Sequence, residues 1–120
     1  MQELGRHFIL ELFGCSVKAL DDLEGIRKAM LKGAVEAGAT VVGEVFHRFS
    51  PQGVTGVVII AESHFSVHTW PEYGYAAVDL FTCSSTTDPD KAFKRIDAFL
   101  KPKSSTAIEL KRGMFAEGKQ

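Results

Sequence analysis

Between residues 40 and 82 the chain carries four strand-like apolar runs joined by connections of only two to four residues, a spacing that narrows the possible folds sharply. The runs cover residues 40–49, 54–61, 64–70 and 75–82, separated by Ser50-Pro51-Gln52-Gly53, Glu62-Ser63 and Pro71-Glu72-Tyr73-Gly74. A parallel neighbour needs a crossover of about a dozen residues or more, so connections this short imply consecutive antiparallel hairpins.

Helices flank this meander. Residues 7–13 form a short, nearly continuous apolar run closed by Gly14, which suits a buried first strand. From residue 20 to 37, Leu20, Leu23, Ile26, Ala29, Met30, Val35 and Ala37 approximate helical spacing, with Asp21 or Asp22 as cap and Gly38 as stop. Gly25 and Gly33 each weaken that helix by up to about 1 kcal/mol relative to Ala, so packing must hold it. Asp88-Pro89 opens a second helix running to Leu100, Lys101-Pro102 ends it, residues 105–110 read as a last strand, and residues 113–120 as a loose tail. The order β, α, β, β, β, β, α, β describes an α+β two-layer sandwich, an antiparallel sheet with two helices on one face. At 120 residues and 45% hydrophobic content, residues 1–120 read as a single domain.

Charge and composition exclude several partners. The 14 basic and 15 acidic residues nearly cancel, which argues against nucleic acid. No apolar run reaches the roughly 18 residues of a membrane span, and residues 1–6 lack a signal-peptide layout, so a cytoplasmic location is the expectation. Cys15 and Cys83 are too few for a disulfide framework and read as free thiols.

Hairpin pairing predicts which residues meet. If Trp70 pairs with Tyr75, His68 lies opposite Ala77, His64 opposite Phe81, and Cys83 reaches Glu62. A turn over residues 61–63, with Ile60 near His64, sets Gly56 opposite His68 and Thr55 beside it. Strand parity then gathers His64, Ser66, His68, Trp70, Tyr75, Ala77, Asp79, Phe81 and Cys83 on one face. Such a polar and aromatic face suits a partner subunit or a ligand better than bulk water.

The stretch Ala61-Glu62-Ser63-His64-Phe65-Ser66-Val67-His68-Thr69-Trp70-Pro71-Glu72, followed by Asp79-Leu80-Phe81-Thr82-Cys83, closely resembles the small prokaryotic S-adenosylmethionine decarboxylases. The resemblance extends from Gly5-Arg6-His7 through Phe46-His47-Arg48-Phe49 and Gln52-Gly53-Val54 into the second helix. It implies a precursor that cuts itself between Glu62 and Ser63, leaving residues 1–62 and 63–120 together, with Ser63 converted to a pyruvoyl group. It further implies His68 as the proton acceptor in processing, Cys83 as the proton donor in catalysis, and two processed units paired through their sheets as a homodimer. The substrate is then S-adenosylmethionine, the product feeds polyamine synthesis, and no metal or pyridoxal phosphate is needed.

The residue types suit these roles. A ketone that condenses with the substrate amine can absorb the electrons left by decarboxylation. An imidazole suits proton removal near neutral pH, and a thiol, mostly protonated there, suits donation. Phe49 and Trp70 offer stacking surfaces for adenine, Glu72 an acceptor for ribose hydroxyls, and an aromatic ring a cation–π contact for the sulfonium. Thr55 stands where many relatives are expected to carry Ser as a hydroxyl donor in processing.

Simpler readings compete. A turn serine is usually only a turn residue, Cys83 alone a small buried hydrophobe, and His68 alone a surface or satisfied imidazole. Asp79 and Glu72 read equally as solvated carboxylates or as acceptors, and Trp70 as interface packing. His64 and His68 have the spacing of a helical zinc motif, but on a strand they stand about 13 Å apart, too far to share an ion. The rival from another class is a non-catalytic metal-binding or dimerising module using His47, His64, His68 and Cys83. A closer competitor keeps the cleavage and accepts arginine or ornithine.

Overall fold

The computed structural model describes residues 3–115, so the expected tail is covered only to Phe115 and residues 116–120 lie outside the described part. Six strands form one antiparallel sheet: β1 (Gly5–Phe13), β2 (Val41–Arg48), β3 (Val54–Ile60), β4 (Ser63–Trp70), β5 (Tyr75–Thr82) and β6 (Ser104–Arg112), in the order β2-β3-β4-β5-β1-β6. The meander is as expected, and β1 enters beside β5 and leaves its other edge to β6. β6 is exposed along its whole length.

The helical layer covers one face. Phe65, Val67, Val78, Leu80, Leu10 and Leu12 point into it and meet Ile26 and Met30 of one helix and Ile96 and Leu100 of another, all buried. Each such side chain contributes about 1.5–3 kcal/mol by leaving water. Here α1 is Val17–Leu20, α2 Leu23–Glu36 and α3 Pro89–Leu100. The helix expected over residues 20–37 with Asp21 or Asp22 as cap is α2, capped by Asp22, while Leu20 falls instead in an additional one-turn helix, α1, with a break at Asp21 and Asp22. The break has a local cause. Asp22 caps α2 by accepting from the Gly25 N–H at 2.9 Å, while Asp21 turns outward to accept from the Gly53 N–H at 2.9 Å and from Arg48 at 2.5 Å. Two aspartates thus spend their carboxylates on a cap and on a loop tie that a continuous helix could not provide.

Both meander turns near the site deserve their residues. Gly74 ends the β4–β5 turn with φ +63°, a conformation that suits glycine. The β3–β4 turn is shorter than expected: Ile60 pairs with Ser63, so only Ala61 and Glu62 turn the chain, with Glu62 at φ +61°. The sequence expectation of Ile60 near His64 is off by one, and the observed register sets Thr55, rather than Gly56, directly opposite His68. Gly56 is reserved for another purpose, because a Cβ there would sit 2.1 Å from the Phe46 ring that lies across it.

Candidate active site

The site residues lie at two ends of β4, about 16 Å apart by the rise of five strand residues between Ser63 and His68. Ser63, opposite the buried Ile60 and of the same parity as Phe65 and Val67, starts the strand on its helical side, whereas His68 lies on the uncovered face. At one end lies the β3–β4 turn. Ser63 begins β4, and its Oγ accepts from the Cys83 backbone N–H at 3.2 Å. Cys83 follows the last residue of β5 and is exposed, and it meets the turn through its backbone amide. Glu62, exposed and left-handed, immediately precedes Ser63.

At the other end the Thr55 hydroxyl lies 3.1 Å from His68 Nδ1. With Nδ1–H donating to the hydroxyl, Nε2 keeps a lone pair pointing away from Thr55. Aromatic rings crowd this end: Trp70 stands 6.4 Å from His68 and 5.3 Å from Tyr75, and His47 packs edge-on against Phe49 at 4.5 Å. Glu72 is exposed on the short turn Pro71–Tyr73 beside them. The Tyr75 hydroxyl donates to Glu11 at 2.5 Å; burial first, then the neighbouring carboxylate, pushes its pKa up to about 12.

The expected residues therefore fall into two groups. Glu62, Ser63 and Cys83 share the turn end; Thr55, His68, Phe49, Trp70 and Glu72 share the aromatic end. His68 does not converge on the turn of its own chain, because an extended strand holds them apart.

A polar network that sequence reasoning left unassembled lies next to the turn end. The Asp79 carboxylate accepts from His7 Nε2 at 2.6 Å, from His64 Nε2 at 3.3 Å and from the Ser66 hydroxyl. Burial, the largest single influence, would raise this carboxyl, but the three hydrogen bonds together outweigh it and hold Asp79 below its ordinary value. His64 also stacks on Phe81 at 6.0 Å and meets the edge of His7 at 6.1 Å. Asp79 and His64 shared a face by parity, but His7 entered only with the β1–β5 pairing, which no hairpin announces.

His7, His64 and Asp79 offer ligand atoms within 4.8 Å of one another, a spacing that could hold a metal ion. The surroundings argue for a hydrogen-bond network instead. Arg112 donates to His7 Nδ1 at 3.3 Å, which fixes the proton on Nε2, the atom an ion would need bare. A metal-bound imidazole offers its second N–H to an acceptor, and here it would face a guanidinium.

No helix of the described residues is long and apolar enough to cross a membrane.

Comparison with known proteins agrees with this architecture. The family model described as S-adenosylmethionine decarboxylase matches residues 6–113. The S-adenosylmethionine decarboxylase proenzyme of Methanococcus maripaludis is 48% identical over 118 residues, covering 98% of this chain and 97% of that protein. The proenzyme of Thermosipho melanesiensis is 52% identical over 117 residues, covering 98% of this chain and 90% of that one. Among solved structures, the adenosylmethionine decarboxylase of Aquifex aeolicus superposes with a TM-score of 0.84 at 35% identity, covering 100% of this chain and 99% of its own. With a family match spanning almost all of its length and relatives near half identity, the chain belongs to the S-adenosylmethionine decarboxylase family.

Proposed function

We propose that the chain is the precursor of a pyruvoyl-dependent S-adenosylmethionine decarboxylase that cuts itself between Glu62 and Ser63. The observation that carries this reading is the turn itself. Ser63 Oγ sits one residue after a left-handed Glu62, with the Cys83 amide donating to it.

The processing step follows from bonds already adjacent. Ser63 Oγ attacks the Glu62 carbonyl carbon, the C–N bond breaks, and residues 62 and 63 become joined by an ester. Loss of the Ser63 α-proton then expels the Glu62 carboxylate, leaving dehydroalanine, which water hydrolyses to a ketone with release of ammonia. A pyruvoyl group at position 63 supplies a carbonyl that withdraws electrons from the substrate's α-carbon. Residue 63 fits such a group, since it is half-buried and faces an amide donor. Cys83, exposed beside it, is positioned to return a proton to the decarboxylated carbon.

His68 is the base for the α-proton, and its distance from Ser63 along one strand determines how it acts. The uncovered face has the turn at one end and Thr55, His68 and the aromatic rings at the other. Two copies paired face to face about a two-fold axis set each turn against the other copy's aromatic end. The partner's His68, oriented by the partner's Thr55, then serves this chain's Ser63, and Phe49, Trp70 and Glu72 of that same end receive the adenosyl group and its sulfonium. The pairing also covers exposed apolar side chains on this face, among them Val45, Phe49, Ile59 and Trp70. The aromatic end favours a nucleoside substrate over arginine or ornithine. The product is decarboxylated S-adenosylmethionine for polyamine synthesis, and the enzyme is expected in the cytoplasm.

Intact mass under denaturing conditions, followed by carbon dioxide release from S-adenosylmethionine, arginine and ornithine in turn, tests the proposal. Two fragments meeting at residues 62 and 63, the second without a free amine, with release from S-adenosylmethionine, are expected. Release from an amino acid alone transfers the reading to that substrate, and a chain that stays whole and inert removes it.

A further inference from the structure

Cleavage before Ser63 creates a mechanical problem that the uncut chain does not have. In the precursor, residue 63 is anchored by covalent bonds on both sides. Afterwards it heads a severed strand end, and strand ends fray unless something ties them down. On the β3 side the ladder partners of Ser63 and His64 are Ile60 and Ile59, which lie close to the other new end, so that side of the hairpin loosens with the cut and the end is left with the pairing of His64 to Phe81 on its β5 side. The reacting group must nonetheless hold its orientation for catalysis.

The first side chain after the cut is His64, and it is tied elsewhere. Its Nε2 donates to Asp79 on β5 at 3.3 Å, and its ring stacks on Phe81 of the same strand. Asp79 is itself gripped by His7 on β1 at 2.6 Å and by Ser66, two residues further along β4. Behind His7, Arg112 at the end of β6 donates to Nδ1 at 3.3 Å. Asp79 thus binds the severed strand at two points to three strands that the cut leaves untouched. The donors His7, His64 and Ser66 all serve this grip.

Resting on the reading that Ser63 becomes a chain end, we propose that Asp79 is a positioning residue that keeps that end in register after cleavage, acting through His64 and Ser66. In the uncut precursor the peptide bond does the same work, so loss of Asp79 is felt mainly once the chain is severed. This dependence on the cut separates a positioning role from general support of the fold.

Hydrogen exchange of the peptide spanning residues 64–69 tests it in four proteins: wild type and Asp79→Asn, both cleaved, and Ser63→Ala with and without Asp79→Asn, both whole. Exchange in the cleaved pair should accelerate about tenfold or more on substitution, while the whole pair should differ by less than about threefold. The cleaved Asp79→Asn enzyme should lose about tenfold or more in kcat with KM changed little. His64→Ala, at a half-exposed position, should reproduce the pattern and serves if Asp79→Asn fails to fold. Equal acceleration in cut and whole forms, or a wild-type kcat, overturns the proposal while leaving the decarboxylase reading intact. A wild type that never cleaves overturns both.

Discussion

The Cys83 backbone N–H donates to Ser63 Oγ across 3.2 Å, while the Cys83 thiol projects from the same residue to the exposed side. One residue therefore offers two separable contributions, an amide that survives side-chain truncation and a thiol that does not. Cys83→Ala should still cleave, within about fivefold of the wild-type rate, yet lose about 100-fold or more in kcat if the thiol is the proton donor. Ser63→Ala should remain whole by intact mass. A Cys83→Ala enzyme with undiminished turnover removes the donor assignment.

The separation of His68 from Ser63 along β4 makes a prediction about pairs of chains. Ser63→Ala and His68→Ala, each alone, should stay whole. In the proposed face-to-face dimer, a mixed pair brings the intact Ser63 of the His68→Ala chain to the partner's intact His68. Co-expression in equal amounts should then cleave about half of the His68→Ala chains, the share expected in mixed dimers under random pairing. No cleavage in the mixture sinks the two-chain site. Within the pair, Thr55→Val should slow processing about tenfold by freeing the imidazole, and Thr55→Ser should restore it.

How far these relationships could be read from the residues depends on what announces each contact. The β4–β5 register was legible because the turn from Pro71 to Gly74 pins Trp70 against Tyr75, and every pair down to His64 and Phe81 follows by counting. The β3–β4 register was not, because two-residue hairpin turns are marked by Asn-Gly or Asp-Gly, and Ala61-Glu62 carries neither. A glutamate in the left-handed region gives no signal in sequence. The grip on Asp79 was hidden for a different reason, since His7 and Arg112 reach it through pairings among β5, β1 and β6 that span the whole chain and involve no hairpin. The distance between Ser63 and His68, by contrast, needed only the strand rise, and the motif's compactness in sequence obscured it.

Glu62 at φ +61° is one of two non-glycine residues with positive φ among the described residues, the other being Lys101 at the end of α3. The left-handed region costs a non-glycine residue about 1–2 kcal/mol, and glycine escapes that cost while losing more entropy on folding. In a Ser63→Ala background, where no cut intervenes, Glu62→Gly should therefore stabilise the precursor by about 0.5–1 kcal/mol in urea unfolding. Glu62→Ala, which keeps the Cβ, should not. A destabilised Glu62→Gly precursor means that the glutamate side chain contributes more to the turn than its backbone conformation costs.

The Asp79 carboxyl supplies a pH dependence whose sign can be worked out. Its folded pKa is lowered, because the hydrogen bonds from Ser66, His7 and His64 outweigh burial, whereas in the unfolded chain it titrates near about 3.9. Between the two values the unfolded chain binds the additional proton, so stability rises with pH across that window. The contribution is fully present above about pH 5 and is lost as pH falls through 3.9 toward the lower folded value. His7, His64 and Ser66 donate to this carboxylate, with Arg112 behind His7, and all remain when Asp79 is replaced by Asn. Urea unfolding of Ser63→Ala and of Ser63→Ala/Asp79→Asn at pH 7, 5, 4 and 3 should accordingly show a gap that is constant at first and narrows below about pH 4. A gap that stays the same down to pH 3 means that the carboxyl is not held low, and that its three donors do no more than compensate for its burial.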